Sequence, residues 1–300
     1  MQTIRIGHSP DADDAFMFYA LTSGKVSVPG VTIEHLLEDI ESLNRRARSS
    51  ASTIEPQLDR VRDQGGLGGA PSPPQLEVTA VSAATYALVS DTYRLMDPGA
   101  SMGKGYGPIL VAREPIALRD IPDKVVAIPG SHTTASLLLR LYVPEEPALI
   151  EVAFDKIMQA VLEGQADLGL LIHEGQITHG DTGLVKVLDL GEAWLRDTGL
   201  PLPLGVNVMR RDLGEPMHRA LSEGLRRSIA WAHANVDEAL DYAIRYSRGI
   251  PRETCRRFVL MYVNDYTVRL GDEGHAALER LFAEAHRRGL LPAIPPLDSV

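Results

Sequence analysis

The sequence predicts an α/β fold divided into two lobes. The chain has 300 residues, 44% of them hydrophobic. This length exceeds what one ordinary hydrophobic core can organise and indicates about two globular units. Short apolar or β-branched runs alternate with stretches at helical spacing, an order typical of parallel sheets covered by helices. Two extended segments, residues 107–113 and 204–210, are expected to cross between the lobes. Such crossings would leave a cleft between the two lobes.

The strand–loop–helix order begins at the N-terminus. Residues 3–6 alternate as a β-strand does, the polar segment 9–14 follows, and apolar residues recur at helical spacing from Phe16 onward. The order recurs along the chain, with strands at 78–81, 124–128, 150–154 and 168–172 and helices at 83–89, 133–142 and 155–163. In the helix at 155–163 we expect Asp155 as the N-cap and Gly164 just past the end.

The pattern changes to helices alone beyond Pro216. Asn235 with Glu238 resembles a capping box at the start of the second of these helices, and Pro251 suits the first turn of the third. A fourth helix is expected over 272–288. The amphipathic stripes of these helices are typical of packing against a sheet.

The expected cleft divides the chain into a smaller lobe, residues 110–207, and a larger lobe, residues 1–109 plus 208–300. Within the larger lobe, residues 49–75 contain the run Gly-Gly-Leu-Gly-Gly-Ala-Pro-Ser-Pro-Pro. Because this run cannot sustain a helix or a strand, we expect a flexible surface insertion, with a lid over the cleft as the alternative.

Composition excludes several classes of function. Forty acidic and 30 basic side chains give a formal charge of -10, which repels phosphate backbones and anionic lipid, so neither nucleic acid nor membrane is an expected partner. The single cysteine, Cys255, can form no intrachain disulfide and no cysteine-based metal cluster, and we expect it to be buried. Charge and proline appear early at the N-terminus, which predicts no signal peptide and a cytoplasmic location.

Polar side chains follow three of the predicted strands, at Ser9, Ser82 and the pair Thr133 and Thr134. Ligands of open α/β sheets lie beyond the carboxyl ends of the strands, where helix N-termini offer free N–H groups. Each of these residues could instead be a helix cap. Together, at equivalent positions, they indicate a ligand-binding cleft.

His173 follows five consecutive apolar residues at the end of a predicted strand. An imidazole titrates nearest neutral pH, which makes His173 the candidate for proton transfer, with a hydrogen-bonded core histidine as the alternative. His173 and His179 are six apart and lack the spacing of a helical zinc motif. Asp11, Asp13 and Asp14 could bind a hard cation, but helix capping is the simpler explanation, because an Asp at a helix start both accepts from free N–H groups and complements the helix dipole. We therefore expect no metal site.

Five segments of the chain resemble the 1,4-dihydroxy-6-naphthoate synthase family of the futalosine route to menaquinone. The resemblance covers nearly the whole chain apart from the insertion. The motifs that carry it are Ser9-Pro10-x-x-x-Asp14-x-Phe16-x-Phe18-Tyr19-Ala20-Leu21, Glu38-Asp39-x-Glu41-x-Leu43-Asn44, Pro129-Gly130-x-His132-Thr133-Thr134-Ala135, Ile172-His173-Glu174 and Thr198-Gly199-Leu200-Pro201-Leu202-Pro203-Leu204-Gly205.

The resemblance implies a two-lobed, periplasmic-binding-protein-like (type II) fold with parallel-rich mixed sheets and an interlobe cleft. It also implies a lyase that converts cyclic de-hypoxanthine futalosine, a small anionic substrate, to dihydroxynaphthoate without a cofactor. The family's proton-abstracting histidine corresponds to His173. The family's substrate-contacting positions correspond to Asn44, Ala80, Val81, Ser82, Thr134 and Ala135.

Two departures from the family pattern bear on the substrate. The first loop is usually Ser-Pro-Cys-Pro-Asn-Asp, where this chain has carboxylates at Asp11 and Asp13, and Ala80 stands where a lysine is usual. One unit charge at 4 Å is worth about 4 kcal/mol at an effective dielectric of about 20, enough to change the preferred ligand. A divergent paralogue, a non-catalytic cytoplasmic small-molecule binder of the same fold and a chorismate-dehydratase-like enzyme are therefore the alternatives.

Overall fold

The structure is a computed structural model that describes residues 1–49 and 75–300. The predicted insertion at 49–75 lies outside the described residues apart from its two ends. The described residues form two mixed sheets flanked by helices. The strands are β1 (Gln2–His8), β2 (Val31–Leu37), β3 (Val78–Ser82), β4 (Tyr93–Leu95), β5 (Ser101–Gly103), β6 (Ile109–Ala112), β7 (Val125–Ile128), β8 (Ala148–Glu151), β9 (Leu168–Leu171), β10 (Val185–Asp189) and β11 (Leu202–Arg210).

The first sheet has the strand order β2-β1-β3-β11-β4, and β5 also pairs with β11. β1 runs parallel to β2 and β3, whereas β11 runs antiparallel to β3, β4 and β5. Residues 204–210, expected to cross between lobes, lie within β11 and pair with β3 and β4, so that prediction is wrong. An extended apolar run has the same appearance in a crossing and in a central strand, and only its partners distinguish the two.

The second sheet has the order β10-β6-β9-β7-β8, with β7 parallel to β8 and β9, and β6 antiparallel to β9 and β10. The strand expected at 150–154 is β8, which ends earlier, at Glu151. Phe154 instead opens a short 3-10 turn that contains Asp155, and α5 begins only at Ile157. Asp155 is therefore not the N-cap of α5.

Twelve α-helices cover these sheets among the described residues. α3 and α4 begin and end within a residue of their predicted bounds, and Thr133 caps α4 by accepting from Ser136 N at 3.2 Å. Asn235 occupies the N-cap position of α9, but its side chain makes no cap hydrogen bond; instead, its amide donates to Trp231 O of α8 at 2.9 Å. The helices are α1 (Ala12–Thr22), α2 (Ile40–Arg48), α3 (Ala83–Val89), α4 (Thr134–Tyr142), α5 (Ile157–Leu162), α6 (Gly175–Thr178), α7 (Leu190–Thr198), α8 (Glu215–Ala234), α9 (Val236–Ala243), α10 (Arg252–Tyr262), α11 (Asp265–Val268) and α12 (Gly271–Arg287).

One hydrophobic core continues across both sheets. It joins Val81 of β3 to Ile128 of β7 and includes Trp194 of α7 and Phe282 of α12. A second core packs α1 against α8, α9 and α10, and Cys255 is buried in it as expected. The chain leaves the first sheet after β5 and has returned to it at the start of β11. The division into two separable lobes stays a prediction.

Helix α7 is held tightly against the segment that enters the second sheet. A Cβ on Gly191 would lie 2.1 Å from the backbone carbonyl carbon of Tyr106, which cannot move aside as a side-chain tip can. We expect Gly191→Ala to lower the free energy of unfolding by about 2–3 kcal/mol, the cost of an overpacked contact. Urea denaturation measures this change.

Gly180→Ala is the matched control, because a Cβ at Gly180 meets no atom within 4 Å. We expect this control to stay within about 0.5 kcal/mol of the wild type. Equal denaturation midpoints for the two variants would contradict the close packing of α7.

Candidate active site

A cavity lies where the carboxyl ends of strands from the two sheets face each other. Its empty volume is about 730 Å³, including the open mouth. Ser9 follows β1, Ser82 ends β3, and His173 follows β9, so the strand ends deliver polar side chains to one place, as the sequence predicts. Of the predicted site residues, those in the cavity wall are Ala80, Val81, Ser82, Thr134, Ala135 and His173.

Asn44 is fully buried and lies behind this wall. Its Oδ1 accepts from Ser82 N at 2.9 Å, and its Nδ2 donates to Ser82 Oγ at 3.1 Å. From the same helix, Glu41 Oε1 lies 2.5 Å from His132 Nδ1, in the loop before α4. α2 therefore holds the end of β3 and the loop from β7 to α4 in fixed positions, and Asn44 contacts the site through Ser82.

The Thr134 hydroxyl ties three elements of the wall together. It donates to Leu204 O of β11 at 2.6 Å and accepts from Ala84 N of α3 at 3.2 Å. The first N–H groups of a helix have no partner within the helix, and Thr134 and Ala135, the first two residues of α4, line the cavity. These two residues can offer backbone donors to an anion, while the Thr134 hydroxyl fixes the wall.

His173 is held in an unusual conformation at the cavity edge. Its backbone φ is +53°, in the left-handed region that a residue with a Cβ adopts only when its surroundings require it. Its ring packs edge-on to Phe154, with ring centroids 4.9 Å apart. Its Nε2 lies 3.2 Å from Asp11 Oδ2, which projects from the loop between β1 and α1. A histidine that follows a strand of the second sheet thus lies beside a carboxylate that follows a strand of the first.

Asp11 is buried, with 1% of its side chain exposed. Arg248 Nη2 donates to Asp11 Oδ1 at 2.9 Å, and the Ser9 hydroxyl donates to Asp11 Oδ2. Burial alone raises the pKa of Asp11, but His173, Arg248 and Ser9 together lower it below its ordinary value. Asp11 is therefore a charged carboxylate at neutral pH. The capping role expected for it is wrong, because its side chain faces His173 and Arg248 and makes no cap hydrogen bond.

The two neighbouring carboxyls behave in the opposite way. Burial, followed by the charge of Asp11, raises the pKa of Asp14 to about 6. Burial, followed by Asp14, raises the pKa of Asp13 well above its ordinary value, and Asp13 Oδ1 has no hydrogen-bond partner among the described residues. Asp14 Oδ2 accepts from Ser9 N at 2.8 Å. Ionisation of Asp13 and Asp14 is therefore disfavoured beside the charged Asp11.

Among residues 1–49 and 75–300, one group of side chains could supply ligands to a metal ion. It consists of Asp11, Asp13 and His173, whose ligand atoms lie within 4.8 Å of one another. The Arg248 guanidinium already neutralises Asp11 at 2.9 Å and would repel a cation bound beside it. The arrangement fits a histidine and a carboxylate in close contact better than a metal centre.

Two residues at or beside the site were not predicted from the sequence. Arg248 lies between α9 and α10, far from Asp11 in the chain, and no local pattern marks it. Asn207 lines the cavity from β11, where its Nδ2 donates to Gly99 O at 2.9 Å. An asparagine between two valines of a buried strand was a usable signal, because buried amides need partners.

The menaquinone biosynthesis family model matches residues 4–55 and 72–287 of this chain. The chain belongs to this family. A curated relative named 1,4-dihydroxy-6-naphthoate synthase, from Thermus thermophilus, is 42% identical over 295 residues, which cover 98% of each chain. The family predicted from the five motifs is confirmed, and the relative's name is that of the predicted lyase.

Solved structures confirm the predicted fold. A protein from Archaeoglobus fulgidus has 47% sequence identity and a TM-score of 0.85, covering 96% of this chain and 98% of its own. The periplasmic aliphatic sulphonate binding protein from Escherichia coli has 10% identity and a TM-score of 0.63, covering 99% and 91%, and shows the fold alone. No helix formed by residues 1–49 and 75–300 is both long and apolar enough to cross a membrane.

The raised pKa of Asp14 predicts a pH-dependent stability. A carboxyl whose pKa rises on folding, from 3.8 to about 6, stabilises the folded state fully below about pH 4 and loses that contribution as pH rises through about 6. Asp14→Asn removes this loss, and its amide oxygen can still accept from Ser9. We expect the variant to gain about 2–3 kcal/mol relative to the wild type between about pH 4 and pH 8. Urea denaturation at both pH values measures this, and a pH-independent difference would contradict the assignment.

Proposed function

We propose that this protein converts cyclic de-hypoxanthine futalosine to 1,4-dihydroxy-6-naphthoate in menaquinone biosynthesis, with His173 as the general base. The observation that carries the proposal is the position of His173, which lines the cavity at the end of β9 and is paired with a buried carboxylate. Family membership supplies the reaction, because the curated relative is a 1,4-dihydroxy-6-naphthoate synthase.

In the proposed reaction His173 takes a proton from the bound substrate. The electron pair of the broken C–H bond stays on the substrate, where it can drive the subsequent carbon–carbon cleavage. A base held at the cavity edge can accept this proton without diffusing, and the imidazolium that forms lies beside the negative charge of Asp11. Ser82, Thr134 and Ala135 line the same cavity and would orient the substrate.

The charges around the cavity are compatible with an anionic substrate despite the aspartates in the first loop. Arg248 pairs with Asp11, and the pKa values of Asp13 and Asp14 are raised by burial, so the loop is less negative than its sequence suggests. Ala80 contributes no charge to the wall. The backbone N–H groups at the start of α4 offer donors to a carboxylate.

The experiment that tests the proposal is incubation of the purified protein with cyclic de-hypoxanthine futalosine, with the naphthoate product measured directly. His173→Asn should reduce the single-turnover rate by about 10² to 10⁴, because a general base acts in the transition state. Substrate affinity, measured by calorimetry, should stay nearly unchanged.

Two results would contradict the proposal. Binding without turnover by the wild type would favour the non-catalytic binder of the same fold. A His173→Asn variant that keeps more than about a tenth of the wild-type rate, with chemistry limiting, would show that another group removes the proton.

A further inference from the structure

We propose that Asp11 is the positioning residue of His173. In this arrangement Asp11 reaches across the cleft, holds the imidazole proton on Nε2, and leaves the lone pair of Nδ1 to meet the substrate. The inference rests on the proposed function, since it assigns the basic atom of the proposed base.

The two nitrogens of His173 have different surroundings. Nε2 is buried, makes no aligned hydrogen bond with any described residue, and has a carboxylate oxygen, Asp11 Oδ2, 3.2 Å away. By contrast, 19% of the side chain as a whole remains exposed in the cavity wall. Among the described residues, none forms a hydrogen bond with Nδ1. A ligand in the cavity can therefore approach Nδ1 but not Nε2.

The charge state of Asp11 decides which nitrogen carries the proton. Its Oδ1 accepts from Arg248 at 2.9 Å and its Oδ2 accepts from Ser9, which leaves a buried carboxylate with acceptor capacity only. The negative charge of Asp11, 3.2 Å from Nε2, favours the tautomer that carries its proton on Nε2. Neutral His173 then has its lone pair on Nδ1, the tautomer that can act as a base toward the cavity.

Packing around the pair restricts the imidazole further. Phe154 meets the His173 ring edge-on, and the Arg248 guanidinium lies over the same phenyl ring at 4.3 Å from its centroid. Arg248 also lies 3.3 Å from Glu174, the residue after the histidine. One arginine thus contacts the carboxylate, the ring that flanks the imidazole and the loop that carries it.

The pair joins residues from the two sides of the cleft. Asp11 follows β1 of the first sheet, and His173 follows β9 of the second. A change in the separation of the two sheets would therefore break the contact and free the imidazole to adopt either tautomer. The base is in its productive form only while the two sides are together.

The tautomer can be read directly by ¹⁵N NMR of the histidine side chains. The chain has nine histidines, and the His173 signals are those absent from the spectrum of His173→Asn. At about pH 8, where an ordinary imidazole is neutral, we expect a protonated Nε2 and an unprotonated Nδ1. A wild-type spectrum with the proton on Nδ1 overturns the proposal, whether or not any Asp11 variant folds.

Asp11→Asn is the matching variant. Arg248 can only donate, so the amide oxygen turns toward Arg248 and the amide N–H₂ turns toward His173. That donor requires a lone pair on Nε2 and moves the proton to Nδ1. We expect kcat to fall by at least about 10²-fold with KM within about twofold, because the histidine is held in the wrong tautomer. Asp212→Asn, at an exposed carboxylate paired with Arg210, is the control and should leave both constants unchanged.

The outcomes separate this proposal from the one on which it rests. If His173→Asn is slow while Asp11→Asn keeps the wild-type kcat, the positioning role is wrong and the general base stands. If Asp11→Asn mainly raises KM, Asp11 contacts the substrate and the proposal is again wrong. An active His173→Asn variant removes the proposed function itself.

Discussion

A buried carboxylate, that of Asp11, links the two sides of the cleft. Removing a charge of this kind from water is costly unless donors surround it, and here Arg248 and Ser9 donate hydrogen bonds to it while His173 Nε2 lies 3.2 Å away. These residues come from the segment between α9 and α10, from the first loop, and from the end of β9 in the second sheet. Satisfying one carboxylate therefore fixes the relative positions of three distant parts of the chain, and the geometry of the site depends on it.

The same carboxylate determines the charge of its neighbours. Because Asp11 stays ionised beside an arginine, its negative charge adds to burial in raising the pKa values of Asp13 and Asp14, which disfavours further negative charge in the loop. A count of aspartates in the sequence gives a strongly negative site. The structure gives a site with one paired charge and two carboxyls whose ionisation is disfavoured, which an anionic substrate can approach.

Local signals in the sequence were sufficient for the elements that deliver the site. β3, α3, β7 and α4 follow from apolar runs and helix starts, and they place Ser82 and Thr134 in the cavity wall. Partners distant in sequence were beyond prediction. Nothing near Arg248 indicates that it reaches Asp11, and the segment 204–210 gave no sign that it would pair with β3. Asn44 was expected at the substrate, but the hydrogen bonds that place it behind Ser82 depend on the packing of α2.

The central claim is that Asp11 and His173 act as one unit across the cleft. A double-mutant cycle on the single-turnover rate tests it most directly, using Asp11→Asn, His173→Asn and the double variant. If Asp11 acts only through His173, the double variant is no slower than His173→Asn alone. A double variant slowed by the product of the two single effects would contradict the account, because it would show that the two residues contribute independently.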